Sequence, residues 1–116
     1  MVCRAAADAP IPLWGMAGEF FCIARTWDEL SIVCAENCLP QNGDELLVER
    51  GWVALKLEGP FPFAMTGVLA SFVQPLAEAA IPIFAISTFD TDYVLIKNEN
   101  RKQASAALDA AGHQAI

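Results

Sequence analysis

Across residues 51–112 the pattern of apolar residues changes from one typical of a strand to one typical of a helix and then to that of two further strands. This order of patterns limits the folds that the chain can adopt. The stretch GWVALKLEG, residues 51–59, alternates apolar with polar residues, which predicts a half-buried strand. Over residues 63–80 the apolar positions recur at helical spacing, which predicts a helix. Two short β-branched and aromatic runs, IPIFAIS and DYVLIK, are separated by a few polar residues and predict a hairpin.

Signals at the ends of the helices complete this order. Pro75 lies inside the first predicted helix, where it removes a backbone hydrogen bond, so we expect a kink and a displaced or separate last turn. A second helix is expected after Asn100, which has the spacing of a capping box with Gln103, and Gly112 is placed to end it. Residues 113–116 remain for a last strand. The sequence therefore predicts a ferredoxin-like α+β fold (βαββαβ), with an antiparallel sheet and its helices on one face.

The first fifty residues repeat part of this order in a shorter form. VCR, EFFCIAR and LSIVCAE predict three strands, and PIPLWGM predicts a helical turn. Thr26 and Glu29 have the spacing of a capping box, which predicts one helical turn between the second and third strands. The stretch LPQNGDELLVERG is expected to be a linker with a tight turn at Asn42 and Gly43. We therefore predict two domains, residues 1–50 and 51–116.

The charge of the chain restricts its partners. Fourteen acidic residues against seven basic ones give a net charge of -7, which repels phosphate backbones and anionic lipid surfaces, so we expect no nucleic-acid partner and no membrane partner. No stretch approaches the roughly 20 apolar residues that span a bilayer, and prolines interrupt the first residues before a signal-peptide core can form. We expect a cytoplasmic protein.

The residues that carry metal or cofactor chemistry are sparse. Cys34 and Cys38 are four residues apart, but the single histidine, His113, is distant in sequence, so we predict neither a metal nor a cofactor. Cys22 and Cys34 lie inside apolar runs and are predicted to be small buried residues.

No pattern in the chain indicates catalysis. None of the serines stands in a Gly-x-Ser-x-Gly setting, and no glycine-rich phosphate loop is present. We predict that the protein is not an enzyme and has no catalytic residues.

The polar segment STFDTD between the two hairpin strands allows two interpretations. Serine, threonine and aspartate are favoured in turns because their side chains bond to nearby backbone, so the segment could serve only to reverse the chain. Alternatively, Asp90 and Asp92 could accept hydrogen bonds from the ammonium group of a small ligand. Backbone N–H groups at the helix start near Gly67 would then hold its carboxylate, with Phe63 and Phe89 as apolar walls. The residues alone leave both interpretations open.

The stretch TGVLASFVQPLAEAAIPIFAIST, residues 66–88, resembles the ACT domain, whose helix opens with a Gly-Val-Leu-Ala run just after the first strand. With the upstream EFFCIARTWDELSIVC, the chain is similar to the CASTOR-type branch of ACT domain proteins, which pairs a degenerate first ACT-like half with a complete second one. The resemblance covers nearly the whole chain, and STFDTDYVL is its most specific part. It implies that residues 1–50 are the degenerate half and residues 51–116 the ACT domain.

The resemblance also implies a function. ACT domains of this kind are regulatory modules that bind a small molecule, most often an amino acid, without catalysing a reaction, and they pair side by side, so we expect a homodimer. In the CASTOR-type branch the loop that matches residues 87–92 faces the ligand, opposite the helix start. Thr88 and Phe89 would offer backbone groups, and Asp92 its carboxylate. The implied ligand-binding residues are Phe63, Gly67, Ser87, Thr88, Phe89 and Asp92.

One position departs from the family pattern. Many ACT domains carry Asp or Asn three residues before the helix glycine, where this chain has Ala64, and the neighbouring Met65 adds no charge. The chain therefore has fewer polar side chains to bind the charged ends of an amino acid than the amino-acid-binding members of the family. The alternative function is therefore a dimerisation or protein-interaction module with a vestigial ligand pocket.

Overall fold

The computed structural model of the chain describes residues 1–40, 46–57 and 67–113. The chain forms two compact units, Met1–Arg50 and Gly51–Ile116, and each is described by itself below. Among the described residues, no helix is long and apolar enough to cross a membrane.

The first unit contains a four-stranded antiparallel sheet with the strand order β2-β3-β1-β4. Its strands are β1 (Val2–Ala5), β2 (Cys22–Arg25), β3 (Leu30–Val33) and β4 (Leu47–Glu49). One face carries the core, in which Cys3, Leu30 and Ile32 are buried. A 3-10 turn, Leu13–Met16, packs on this face so closely that a Cβ atom on Gly15 would lie 3.1 Å from Ile32 Cγ2.

Two predictions for the first unit are wrong. The segment predicted as a linker contains β4, which pairs with β1. Thr26 Oγ1 does accept hydrogen bonds from the N–H groups of Asp28 and Glu29, both at 3.1 Å, but these bonds hold a tight turn between β2 and β3 rather than a helical turn. The turn predicted within the linker lies outside the described residues.

The second unit has the predicted order of elements. They are β5 (Trp52–Lys56), α1 (Val68–Glu78), β6 (Ile83–Ser87), β7 (Asp92–Lys97) and α2 (Arg101–Ala110). The three strands are antiparallel in the order β5-β7-β6. This is the α+β, ferredoxin-like arrangement that the sequence predicted. Of the last predicted strand, residues 114–116 lie outside the described residues, and His113 is not part of a strand.

Both helices pack on one face of the second sheet, as predicted. Val94 and Ile96 are two residues apart on β7 and therefore point to the same face, where both are fully buried. Leu76 of α1 and Ala104 of α2 join them in one apolar cluster. The helices are thus fixed to the sheet through a single core.

Helix α1 differs from the prediction at both ends. Residues 63–66, the predicted first turn, lie outside the described residues. The helix continues through Pro75 to Glu78 as one element, so the last turn is not separate. Ala80, predicted to lie on the apolar stripe, lies beyond the helix with a φ of 58°.

Helix α2 ends as predicted but begins differently. Within the described part of the chain, the side chain of Asn100 makes no capping hydrogen bond, and Gln103 Nε2 donates instead to the carbonyl of Ala79 at 3.2 Å. The predicted capping box is therefore wrong. At the other end, Gly112 has a φ of 90° and its N–H donates to the carbonyl of Asp109 at 3.0 Å, which ends the helix at the predicted glycine.

Candidate functional site

The turn between β6 and β7 and the start of α1 lie at the same end of the second sheet. β5 ends at Lys56, which pairs with Tyr93, and β6 ends at Ser87, which pairs with Asp92. Helix α1 ends a few residues before β6 begins, at the opposite end of the sheet. Since α1 packs along the sheet, its first turn is directed toward the end that carries Ser87 and Asp92.

The β6–β7 turn is closed by two threonines. The N–H of Thr88 donates to the carbonyl of Thr91 at 2.8 Å, and Thr88 Oγ1 donates to the same carbonyl at 3.0 Å. The N–H of Thr91 lies 3.3 Å from Thr88 Oγ1. The N–H of Thr88 is therefore engaged within the turn. Phe89, at the tip, is 78% exposed.

Asp92 is a half-buried residue whose carboxylate is held by its strand neighbour. Ser87 Oγ donates to Asp92 Oδ1 at 2.5 Å, which orients the carboxylate across the strand pair. The backbone carbonyl of Asp92 accepts from the N–H of Leu57 at 2.9 Å, and Thr91 Oγ1 donates to the carbonyl of Leu57. The end of β5 is thereby tied to the start of β7. A carboxylate has acceptor sites for more than one donor, so Asp92 retains capacity for a ligand cation.

Gly67 precedes α1, and its backbone conformation would allow a ligand to come close to the start of that helix. Its φ is 81°, a region that favours glycine, and its carbonyl accepts from the N–H of Ser71 at 2.9 Å. Among the described residues, and apart from its chain neighbours and the adjoining helix backbone, no heavy atom lies within 4 Å of the position that a Cβ atom would occupy. The first N–H groups of a helix have no partner within the helix and favour an anion, so this end of α1 can accept a carboxylate.

The remaining predicted contact lies beyond what the structure describes. Phe63 is outside the described residues, as are Ala64 and Met65. The structure thus places Gly67, Ser87, Thr88, Phe89 and Asp92 at one end of the unit, without describing the Phe63 wall.

The first unit carries the four cysteines, all as free thiols. Burial raises the pKa of the Cys3 and Cys34 thiols, which lowers the fraction of reactive thiolate at neutral pH. Cys34 is buried as predicted, whereas Cys22 is only half-buried. Among the described residues, no three His, Cys, Asp or Glu side chains are grouped so that they could hold a metal ion.

Sequence reasoning did not predict the contribution of Thr91 and Leu57 to the site. Thr91 closes the turn with its backbone and binds β5 with its hydroxyl group. The sequence feature that could have indicated the role of Thr91 is the threonine at each end of the four-residue stretch TFDT, because hydroxyl side chains at both ends can bond across a turn. The contact with Leu57 could not be read locally because it joins residues 34 positions apart.

Two family models match the chain. A model described as an ACT domain matches residues 47–110, and one described as an N-terminal domain matches residues 1–42. The crystal structure of protein Atu0741 from Agobacterium tumefaciens is similar throughout. It gives a TM-score of 0.90 at 39% sequence identity and covers 99% of this chain and 84% of that one.

The curated relatives are more distant and longer. The human protein CASTOR3P is 30% identical over 88 residues, which is 67% of this chain and 54% of that protein. The Bos taurus protein named cytosolic arginine sensor for mTORC1 subunit 1 is 24% identical over 90 residues, 71% of this chain and 27% of that protein. The chain therefore spans about half the length of the first relative and about a quarter of the second.

The ACT model covers more than half of the chain and coincides with the second unit almost completely. The relatives found by sequence are of the CASTOR type, in agreement with the resemblance seen in STFDTDYVL. The chain therefore belongs to the ACT domain family and is of the CASTOR type.

Proposed function

We propose that this chain is a regulatory, non-catalytic protein that binds an amino acid at the end of the second unit where β6 turns into β7. The observation that carries the proposal is the arrangement there, since the Asp92 carboxylate and the start of α1 at Gly67 are directed to the same end of the sheet. An amino acid presents an ammonium group and a carboxylate. The arrangement supplies an acceptor for the first and backbone donors for the second.

Each proposed contact has a physical role. The Asp92 carboxylate binds the ammonium group, and the Ser87 hydroxyl group holds that carboxylate in place. Gly67 lets the ligand approach the helix start because it has no side chain. Thr88 keeps the turn closed, and the exposed ring of Phe89 provides an apolar wall.

The comparisons support this proposal without fixing the ligand. The bovine relative is named as an arginine sensor, and the chain matches about a quarter of that protein. We therefore propose the class of amino acids rather than arginine alone. A homodimer, a cytoplasmic location and an origin of residues 1–50 as a degenerate ACT-like half belong to the same proposal. The net charge of -7 favours neither nucleic acid nor an anionic membrane as a partner.

A thermal-shift screen tests the proposal. Each of the twenty amino acids is added at millimolar concentration, and the Tm of the full chain is measured. A ligand that binds only the folded state at ten times its Kd contributes about 1.4 kcal/mol by mass action, so at least one amino acid is expected to raise the Tm by several degrees. Twenty unchanged melting curves would remove the support for an amino-acid ligand.

A second function is favoured by different observations. The Asp92 carboxylate already accepts from Ser87, and the N–H of Thr88 is engaged within its turn. In the described part of the second unit, β6 lies at an edge of its sheet and pairs on one side only. A sheet edge offers backbone donors and acceptors to another chain. The protein would then be a dimerisation or interaction module with a vestigial pocket.

Sedimentation together with the thermal-shift screen separates the two functions. An interaction module that pairs through its own copies is expected to sediment as a dimer without any amino acid, and substitution of Asp92 by alanine is expected to leave that dimer intact. A thermal shift caused by an amino acid would favour the sensor, whereas a dimer whose Tm no amino acid changes would favour the interaction module.

A further inference from the structure

Pro75 leaves one backbone carbonyl of α1 without its usual donor. In an α-helix the carbonyl of residue 71 accepts from the N–H of residue 75, and proline has no N–H. The donor comes instead from outside the helix. His113 Nε2 lies 2.9 Å from the carbonyl oxygen of Ser71. Because a carbonyl only accepts, this contact requires the proton to be on Nε2.

The His113 ring is placed by the end of α2. The N–H of His113 donates to the carbonyl of Leu108 at 2.9 Å, and Gly112 takes a φ of 90°, which together form a Schellman motif. The ring also meets Phe72 of α1 edge to face, with ring centroids 5.2 Å apart. The backbone geometry at the end of α2 thus places the His113 side chain against α1.

Ser71 connects this contact to the proposed ligand site. The N–H of Ser71 donates to the carbonyl of Gly67 at 2.9 Å, which is the first hydrogen bond of α1. Ser71 is therefore one helical turn from the glycine that we propose the ligand approaches. A contact that holds the Ser71 carbonyl also restrains the first turn of the helix.

We propose that His113 is a positioning residue. It holds the Ser71 carbonyl, whose usual helical donor Pro75 cannot supply, and so fixes the first turn of α1 and sets the affinity of the ligand site. The effect on affinity rests on the proposed function, whereas the effect on the helix does not. By linkage, a ligand that binds the ordered first turn also strengthens the His113 contact.

Amide hydrogen exchange on the full chain without ligand tests the helix contact. His113→Phe retains a ring beside Phe72 but has no donor, and His113→Ala removes both. We expect exchange at the amides of residues 71–74 to rise about three- to tenfold in both variants, which is the range for loss of one hydrogen bond. Unchanged exchange in His113→Phe would overturn the proposal, because the ring alone would then suffice.

A second substitution makes the test specific. Pro75→Ala returns an N–H to the helix at the position that normally bonds to Ser71. In that background we expect His113→Phe to alter exchange by less than about twofold, since the carbonyl has its helical donor again. If His113→Phe instead had as large an effect in the Pro75→Ala background as in the native one, His113 would act on the helix by another route, contrary to the proposal.

Calorimetric titration with L-arginine, and with any other amino acid that shifts the native Tm, tests the effect on affinity. We expect His113→Phe to weaken binding about three- to tenfold, and to weaken it much less in the Pro75→Ala background. Equal affinity of the native chain and His113→Phe would refute the coupling. If the native chain binds no amino acid, the proposed function fails, and the exchange experiment still decides whether His113 holds the first turn.

Discussion

Substitution of Gly67 tests two things: the left-handed backbone geometry before α1 and the proposed approach of the ligand to the start of that helix. Gly67 has a φ of 81°, and among the described residues other than its chain neighbours and the adjoining helix backbone, nothing lies within 4 Å of a Cβ atom built there. Gly67→Ala therefore costs backbone strain but creates no steric overlap with those residues. The strain is about 1–2 kcal/mol for an L-residue in the left-handed region. The lower entropy of the unfolded alanine chain offsets about 0.4–1 kcal/mol of it. The net loss is about 0–1.6 kcal/mol, which is at most about 8 °C in Tm.

Gly67→Asn is the matched variant because asparagine tolerates the left-handed region better than alanine. Thermal unfolding followed by circular dichroism is expected to rank the native chain above Gly67→Asn, and Gly67→Asn above Gly67→Ala. Both variants are also expected to lose affinity for the amino acid, because each places a side chain at the helix start. An alanine variant that is more stable than the native chain or than Gly67→Asn would refute the left-handed geometry. Undiminished binding by both variants would refute a close approach at Gly67.

Three further predictions concern the core and the surface. Leu76→Ala is expected to cost about 2–5 kcal/mol in chemical unfolding, because the side chain is fully buried between the helices and the sheet; a loss below about 1 kcal/mol would contradict this packing. Trp27 is 99% exposed, so Trp27→Ala is expected to change the free energy of unfolding by less than about 0.5 kcal/mol, and a larger loss would contradict that exposure. Since burial raises the pKa of the Cys3 and Cys34 thiols, iodoacetamide at neutral pH is expected to alkylate the other two cysteines first by mass spectrometry, and early modification of Cys34 would contradict its burial.

The elements with a strong local signal were predicted from the sequence. The hairpin of β6 and β7 and the end of α2 at Gly112 agree with the structure. Two β-branched and aromatic runs separated by polar residues, and a glycine just after a helix, are signals that lie within a few neighbouring residues. β4 was missed because its three residues become a strand only by pairing with β1, more than forty positions earlier. A segment this short has no periodicity of its own to detect.

The side-chain contacts of the site were harder to predict for the same reason. Pro75 indicated that a carbonyl of α1 would lose its donor, yet nothing near it in the sequence identified His113, 42 positions from Ser71, as the replacement. The spacing of Asn100 and Gln103 fits a capping box, but the Gln103 side chain bonds to Ala79 instead. In both cases the partner comes from another element, and only the packing of the two helices brings it near.

We propose above that the Asp92 carboxylate binds the ammonium group of an amino acid. The direct measurement is calorimetric titration of the native chain, Asp92→Ala and Asp90→Ala with the amino acid that gives the largest thermal shift. Asp90 is an exposed carboxylate in the same turn and is the matched control. Loss of a charge-assisted hydrogen bond costs about 1.5–3 kcal/mol, so Asp92→Ala is expected to weaken binding by at least about tenfold. Asp90→Ala is expected to bind within about twofold of the native chain, because a screened surface charge contributes little. Equal affinities of the two variants would contradict the role of Asp92.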